Sequence, residues 1–164
     1  MNRRLLLSTA AGAAGIVALP ALAAAAPDPR AIAEQFAATL TAHDLAAFAD
    51  LFADDYVNHQ LSAAAPPPPP GKTAKQGSVA FYAARLAGMP NLAVSIEALV
   101  ASSDRVAASF VYTGTHSGPL YGVPATGRQL RFTSCDIFSI RNGQIAEHWG
   151  MGDIAGVLAQ IKPL

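Results

Sequence analysis

The sequence predicts an α+β fold, in which helices come first and an antiparallel sheet follows. Up to about residue 90, apolar residues recur roughly every four positions, and from Asn91 they recur every second position. The dipeptide Asn142-Gly143 separates two such alternating runs, which is the strongest short-range hairpin signal. Residues 27–164 also have the size of one domain with one good core.

The first residues have the order of an export signal. Arg3 and Arg4 precede a run of Ala, Leu and Gly that reaches small residues at Ala21 to Ala26. The two arginines followed by Leu6 and Leu7 also fit a twin-arginine signal, which carries proteins already folded in the cytoplasm.

A membrane anchor is the alternative interpretation of this segment. Residues 5–26 are numerous enough to span a bilayer, but Pro20 and the excess of alanine make the run weakly apolar and cleavable. We therefore expect residues 1–26 to be a signal that is removed, with cleavage near Ala23 to Ala25. The mature domain, 27–164, would then be periplasmic or secreted, with no membrane partner.

Composition excludes several classes of function. The chain has 11 basic and 11 acidic residues, and removal of Arg3 and Arg4 leaves 11 − 2 = 9 basic residues and a formal charge of 9 − 11 = −2. Without a basic run or a basic-aromatic patch, nucleic acid is not an expected partner. The single Cys135 allows no internal disulfide and gives no metal-site spacing.

Two helices are predicted after the signal. Asp28 can cap the first and Pro29 lies where no backbone donor is missed, so this helix runs to about Thr41. Asp44 can cap the second. The inward residues expected from the spacing are Ile32, Phe36 and Leu40 in the first helix and Leu45, Phe48, Leu51 and Phe52 in the second.

A proline run separates the second and third helices. Five prolines, Pro66 to Pro70, cannot join a helix or an inner strand, so they predict a stiff extended loop. A proline-recognition motif is the alternative. Thr73 and Gln76 form a capping box for the third helix, whose inward residues would be Val79, Tyr82 and Leu86.

Four long antiparallel strands and a tail helix complete the prediction. The strands are expected at 91–100, 106–112, 129–140 and 144–151, and the helix at 154–161. In the first strand, alternation places Leu92, Val94, Ile96, Ala98 and Val100 on one face. The pattern alone does not establish how strongly the sheet curves.

Asp136 is the first candidate for chemistry. Alternation puts it on a strand face with Leu130, Phe132, Ser134, Phe138 and Ile140. An acid among apolar neighbours must be paired or shifted toward its neutral form, and both conditions suit an acid or base catalyst. The alternative is a structural carboxylate bonded to backbone donors or to one arginine.

His148 is expected beside Asp136. Asp136 lies six residues before the Asn142-Gly143 turn and His148 five after it, so the two fall on neighbouring strands at similar height. Glu147 and His148 point to opposite faces unless a bulge intervenes, so one of them is expected to be structural. Trp149 either packs behind the cluster or forms a flat wall for a planar ligand.

Other polar residues lie where loops meet strands, which is where function often resides. Asn58 and His59 precede the proline loop, and His116 follows a strand. Each histidine could equally be a surface or satisfied core residue, and we interpret His43 as structural. His59, His116, His148 and Asp136 could together supply metal ligands, but no HxH or HExxH pair occurs, so no metal is expected.

Two segments, GTHSGPLYGVPATGRQLRFTSCDIF and RNGQIAEHWGMGD, resemble the SnoaL-like polyketide cyclase and predicted ester cyclase group. That group belongs to the nuclear transport factor 2-like superfamily. The resemblance covers Asp28 to the C-terminus. Its specific parts are Asn58-His59, Gly114-Thr115-His116 with Gly118, Gly122, Ala125 to Arg128, and Glu147-His148-Trp149 with Asp153. It implies a cone-shaped fold, with three N-terminal helices packed on a curved, mainly antiparallel sheet around an apolar pocket.

The resemblance also implies a reaction. Enzymes of this group close rings by an intramolecular aldol step, with an acidic side chain as general acid and base and no cofactor. In those cyclases the acid stands two residues after the position of His148, where this chain has Gly150, and a histidine stands at the position of Asp136. Asp136 and Asp153 are the remaining carboxylates that could take over. The His59 and Glu-His-Trp pattern is closer to the ester cyclase branch.

The sequence therefore favours an exported, cofactor-independent enzyme that performs acid–base chemistry on a small apolar carbonyl compound, by cyclisation, isomerisation or hydration. The expected catalytic residues are Asp136 and His148, with Asp153 in reserve. The expected substrate-binding residues are Tyr56, Asn58, His59, His116 and Trp149. The rival hypothesis is a binding protein with the same pocket and no turnover. The oligomeric state stays open, with a homodimer as one alternative.

Overall fold

The structure is a computed structural model that describes residues 28–60 and 67–162. The predicted export signal and Pro66 lie outside these residues. The elements are α1 (Pro29–Thr41), α2 (Leu45–Asp50), β1 (Phe52–Asn58), α3 (Ala74–Gly88), β2 (Ala93–Ala101), β3 (Arg105–Thr115), β4 (Gln129–Arg141), β5 (Gln144–Gly152) and α4 (Ile154–Ile161).

The α+β class and the nuclear transport factor 2-like architecture are confirmed. Helices pack on one curved five-stranded sheet of order β1-β5-β4-β3-β2. The pairs β2–β3, β3–β4 and β4–β5 are antiparallel, as predicted. Among the described helices, none is long and apolar enough to cross a membrane.

The helix caps follow the sequence signals closely. The Asp28 carboxylate accepts a hydrogen bond from the Arg30 backbone N–H at 2.9 Å, and the Asp44 carboxylate accepts from that of Ala47 at 2.9 Å. Thr73 and Gln76 form the reciprocal capping box of α3. Each cap satisfies a backbone donor that the first turn would otherwise leave unpaired.

The predicted strand count of four was wrong, because β1 is a fifth strand. The spacing of Phe52 from Phe48 suggested that α2 continued, but the helix ends at Asp50 and Phe52 begins a strand. This strand pairs parallel to β5 at the edge of the sheet. Its irregular register and short length give no clear alternation, so the periodicity could not reveal it.

The alternation predicted for β2 was correct only for its first half. Leu92 and Val94 are buried, but the register shifts between Ile96 and Ala98. A one-residue shift moves every later side chain to the opposite face. As a result Val100, which was expected on the same face as Leu92 and Val94, is 71% exposed.

An aromatic cluster joins the helices to the sheet. The Phe36 ring on α1 lies 5.0–5.4 Å, centroid to centroid, from four other rings. Those rings belong to Phe48, Tyr82, Phe110 and Phe138. Because such packing is dense and specific, it fixes the helices over the inner face of β3, β4 and β5, where the polar cluster described next is found.

Candidate active site

Asp136 and His148 form a buried hydrogen-bonded pair inside the sheet. Imidazole Nε2 lies 2.7 Å from carboxylate Oδ1, and the residues are 2% and 4% exposed. Asp136 reaches this position because β4 alternates regularly, with Ser134, Asp136 and Phe138 all buried. The hairpin count therefore placed the two side chains correctly as neighbours.

A bulge in β5 decides which residues face inward. The register of the β4–β5 pair shifts between Ser139 and Ile140, so Ala146 is an extra residue in β5. Ile145 and His148 are both buried as a result. Glu147 remains on the opposite face from His148, as the alternation required.

Hydrogen bonds extend from His148 to α3. The Tyr56 hydroxyl lies 3.2 Å from His148 Nδ1, Ser78 Oγ donates to the Tyr56 oxygen at 3.3 Å, and Asn58 Nδ2 donates to Ser78 Oγ at 3.4 Å. One tautomer uses every proton once: His148 carries its proton on Nε2 and donates it to Asp136, while Nδ1 accepts from Tyr56.

A second branch reaches Asp136 from β3. Ser134 Oγ donates to Asp136 Oδ2 at 2.5 Å, and the Tyr112 hydroxyl lies 3.4 Å from Ser134 Oγ. Since the serine proton points to the carboxylate, Tyr112 donates to the serine oxygen. The protons of both branches thus point toward Asp136.

The buried tyrosines in and around this network are held in their protonated state. Burial, reinforced by the Asp136 charge, raises the pKa of Tyr112 to about 12. Burial also raises the pKa of Tyr56 and of Tyr82 well above the usual value. All three hydroxyls therefore remain hydrogen-bond donors at neutral pH.

Gly150 provides the space that the Asp136–His148 pair occupies. It is the residue directly opposite Asp136 in the β4–β5 pair. A Cβ atom built on Gly150 would overlap Asp136 Oδ1 and lie 2.5 Å from His148 Nε2, closer than the 3.0 Å that real Cβ atoms respect. Any side chain at position 150 is therefore incompatible with this pair.

His59 lies against Glu147 and Trp149, which are on the face of β5 opposite to His148. His59 Nε2 is 2.8 Å from Glu147 Oε2, and the His59 ring stacks on Trp149 at a centroid distance of 4.4 Å. The Arg105 guanidinium lies 5.7 Å from the Trp149 ring centre. The structure thus groups His59 with Trp149 and Glu147, whereas Asn58 joins the network of Asp136.

His116 and Asp153 occupy separate surroundings. His116 is fully buried, with Nδ1 2.9 Å from Thr126 Oγ1, and Nε2 has no hydrogen-bond partner among the described residues. Asp153 is exposed and caps α4, where its carboxylate accepts from the Gly156 N–H at 2.8 Å. These contacts give Asp153 a structural function as a helix cap.

The sequence analysis missed Arg85, a buried cation on α3. The residue is 3% exposed, and Nη2 donates to the Tyr121 hydroxyl at 3.1 Å. A cavity of about 230 Å³ is lined by Phe81, Ala84, Arg85, Pro119, Leu120 and Tyr121. Position 85 lies between the inward-facing positions 82 and 86. The sequence therefore did contain a signal for Arg85, namely a charged residue on an apolar helix face.

The apolar pocket expected around the catalytic and substrate-binding candidates, among them Asp136, His116 and His148, stays a prediction. Within residues 28–60 and 67–162, no group of three or more His, Cys, Asp or Glu side chains is arranged to hold a metal ion. The polar cluster around Asp136 is instead a chain of hydrogen-bond donors that ends on one carboxylate.

Comparison with known proteins identifies the family. The sequence model described as SnoaL-like polyketide cyclase matches residues 30–161. The chain belongs to this family. IdmH from Streptomyces antibioticus, a proposed polyketide cyclase, is 30% identical with a TM-score of 0.69, over 80% of this chain and 96% of that chain.

Two further solved structures have the same fold. TsrD from Streptomyces laurentii is 25% identical with a TM-score of 0.69, over 82% of this chain and 95% of that chain. AclR from Streptomyces galilaeus, a proposed hydroxylase, is 22% identical with a TM-score of 0.68, over 81% and 94% of the two chains. None of the curated proteins matches significantly. The family supports a small-molecule enzyme or binder.

Proposed function

We propose that this SnoaL-like protein is an acid–base enzyme that removes and returns a proton next to the carbonyl group of a small apolar compound. The observation that carries the proposal is the buried pair of Asp136 and His148, with 2.7 Å between its atoms. A carboxylate that is held at hydrogen-bond distance from an imidazole is suited to general base catalysis.

Asp136 is the proposed base and His148 the group that positions it. The carboxylate accepts from Ser134 and His148, and these bonds hold it in one orientation. On taking a proton from carbon it becomes a neutral acid, which then returns the proton to the product. His148 keeps one tautomer throughout because Tyr56 donates to its Nδ1.

The arrangement also accounts for Gly150. By resemblance, the cyclases carry their acid at this position, and here Asp136 reaches across from the paired strand into the space above the glycine. We infer that the acid has moved from one strand to its neighbour while remaining in the same part of the cone. Proton transfer by the family's acid and by Asp136 would then use similar substrate positions.

Hydrogen–deuterium exchange tests this function without knowledge of the natural substrate. A small apolar ketone, 2-tetralone, is incubated with the protein in D₂O, and loss of the hydrogens next to its carbonyl is followed by NMR. The wild type is expected to accelerate exchange, and Asp136→Asn to lower the enzymatic rate by about a hundredfold or more.

Asp153→Asn is the matched control, because it removes an exposed carboxylate that caps α4. It is expected to retain the exchange rate in folded protein. If Asp153→Asn loses exchange while Asp136→Asn keeps it, the assigned roles are reversed. If the wild type binds 2-tetralone without accelerating exchange, the binding-protein alternative replaces the enzyme.

We also propose that the protein acts outside the cytoplasm. The support is the order of residues 1–26, where two arginines precede a weakly apolar run that ends in small residues. An acid–base reaction that uses no cofactor is compatible with that location, because it needs nothing supplied by the cytoplasm.

A further inference from the structure

Arg85 is a full positive charge inside the protein, and no described residue contacts it as a counter-charge. All 11 acidic residues of the chain lie within the described ranges, and none of them forms a salt bridge with Arg85 there. Nη2 donates to Tyr121, while Nε has no hydrogen-bond partner among those residues. Buried charges in proteins are normally paired.

Aromatic rings surround the guanidinium but cannot neutralise it. Its central carbon lies 4.7–5.1 Å from four ring centres, those of Phe81, Tyr82, Tyr112 and Phe132. Cation–π attraction offsets part of the lost hydration. A purely structural role would be served as well by an uncharged side chain of similar volume, so the retained charge indicates a ligand.

The cavity beside Arg85 has the right chemistry for one end of such a ligand. Its walls are apolar except for the guanidinium and the Tyr121 hydroxyl. Tyr121 is held there in the left-handed region, at φ 49°. The loop before it is anchored to α3, because Gly88 O accepts from the N–H groups of Ser117 and Gly118.

A planar guanidinium matches a carboxylate, because its donors lie in a fork that fits the two oxygens. The volume of about 230 Å³ corresponds to about eight water molecules, enough for a carboxylate and a short carbon segment. We propose that Arg85 binds a carboxylate at one end of the ligand, which makes the substrate class an apolar keto acid.

A chain of side-chain contacts leads from Arg85 to Asp136. Arg85 lies over the Tyr112 ring at 4.7 Å, and the hydroxyl of the same tyrosine lies 3.4 Å from Ser134, which donates to Asp136. The keto-acid assignment rests on the proposed acid–base function for the carbonyl end. The carboxylate anchor itself is a binding property and needs no turnover.

The first test uses the unmodified protein and two probes of the same shape. Binding of 2-naphthoate and of 2-naphthamide is measured by calorimetry at neutral pH. The wild type is expected to bind the carboxylate at least about tenfold more tightly than the amide. Equal affinity for the two probes, or tighter binding of the amide, would overturn the proposal without any variant.

The second test asks whether Arg85 causes the preference for the carboxylate over the amide. Arg85→Gln keeps much of the side-chain volume and removes the charge, so the preference should fall to within about twofold. Arg131→Gln, an exposed arginine on β4, is the matched control and should keep it. A folded Arg85→Gln protein that retains the full preference would refute the anchor.

The two proposals fail separately. Asp136→Asn should abolish exchange on 2-tetralone yet leave the preference for naphthoate over naphthamide unchanged. If exchange survives that substitution, the acid–base assignment fails while the anchor stands. If the carboxylate preference is missing from the wild type, the anchor fails whatever the exchange rates show.

Discussion

Replacing Gly150 by alanine should break the Asp136–His148 pair. The added Cβ would lie 2.5 Å from His148 Nε2 and would overlap Asp136 Oδ1, whereas real Cβ contacts stay beyond 3.0 Å. Moving the imidazole alone by the missing 3.0 − 2.5 = 0.5 Å would stretch the 2.7 Å hydrogen bond to 2.7 + 0.5 = 3.2 Å, the limit for N–H···O bonds, and Asp136 Oδ1 must move away as well.

The expected loss of stability is large for the addition of a single methyl group. A hydrogen bond to a charged group contributes about 1.5–3 kcal/mol, and the upper end applies because both buried side chains must leave their packed positions. We therefore expect Gly150→Ala to lower the free energy of unfolding by about 3 kcal/mol. At about 2–4 °C per kcal/mol, the melting temperature should fall by about 10 °C.

Gly152→Ala on the same strand is the matched control. The nearest heavy atoms to its added Cβ lie at 3.9 Å, an ordinary contact. Because alanine is favoured over glycine in strand interiors, this variant should be neutral or slightly more stable. Thermal unfolding followed by circular dichroism, together with the 2-tetralone exchange rate, compares the two variants. If both melt like the wild type and both keep exchange, the reasoning about Gly150 is refuted.

Three other predictions follow from the same contacts and from the N-terminal sequence. Tyr56→Phe removes the donor to His148 Nδ1, so exchange should fall about five- to tenfold; an unchanged rate would show that the tautomer is fixed without this tyrosine. The pKa of Tyr112 is about 12 in the folded protein and 10.0 in the unfolded chain. The free energy of unfolding should therefore fall as the pH rises through that interval, by about 3 kcal/mol in all. Tyrosinate absorbance should then rise together with loss of circular dichroism, and Tyr112 ionising near pH 10 in folded protein would contradict this. Mass analysis of exported protein should find a chain that begins near Ala24 to Ala26, and an intact Met1 on a cytoplasmic product would disprove the export signal.

Local signals in the sequence were enough to predict most elements. The caps at Asp28, Asp44 and Thr73 each depend on a side chain and a backbone donor two or three residues away, so a short window contains all the information. Counting from the Asn142-Gly143 turn brought Asp136 and His148 together for the same reason, since a tight hairpin fixes the register nearby.

Features that depend on distant partners were not visible. Strand β1 exists because β5 offers an edge to pair with, and its own seven residues show no period. The irregularities in β2 and β5 each shift the register without a distinctive residue, so the second half of β2 faces the opposite way from the prediction.

The central residues of the candidate site, Asp136 and His148, were predicted from the sequence, but the residues around them were not. Asp136 stood out as an acid on an apolar strand, but Ser78 and Ser134 are ordinary residues until the structure places them against Tyr56 and Asp136. Arg85 lay on an apolar helix face and was passed over, because only the fold shows that no carboxylate meets it.

A crystal structure of the protein with a bound apolar ketone would test the central claim most directly. The account predicts that the carbon next to the carbonyl lies within about 3.5 Å of an Asp136 carboxylate oxygen, the separation of reacting atoms poised for transfer. The His148 pair should remain closed in that complex. A ketone bound with its reacting carbon against His59 and Trp149, or with Asp136 still shielded from it by protein, would contradict the assignment of Asp136 as the base.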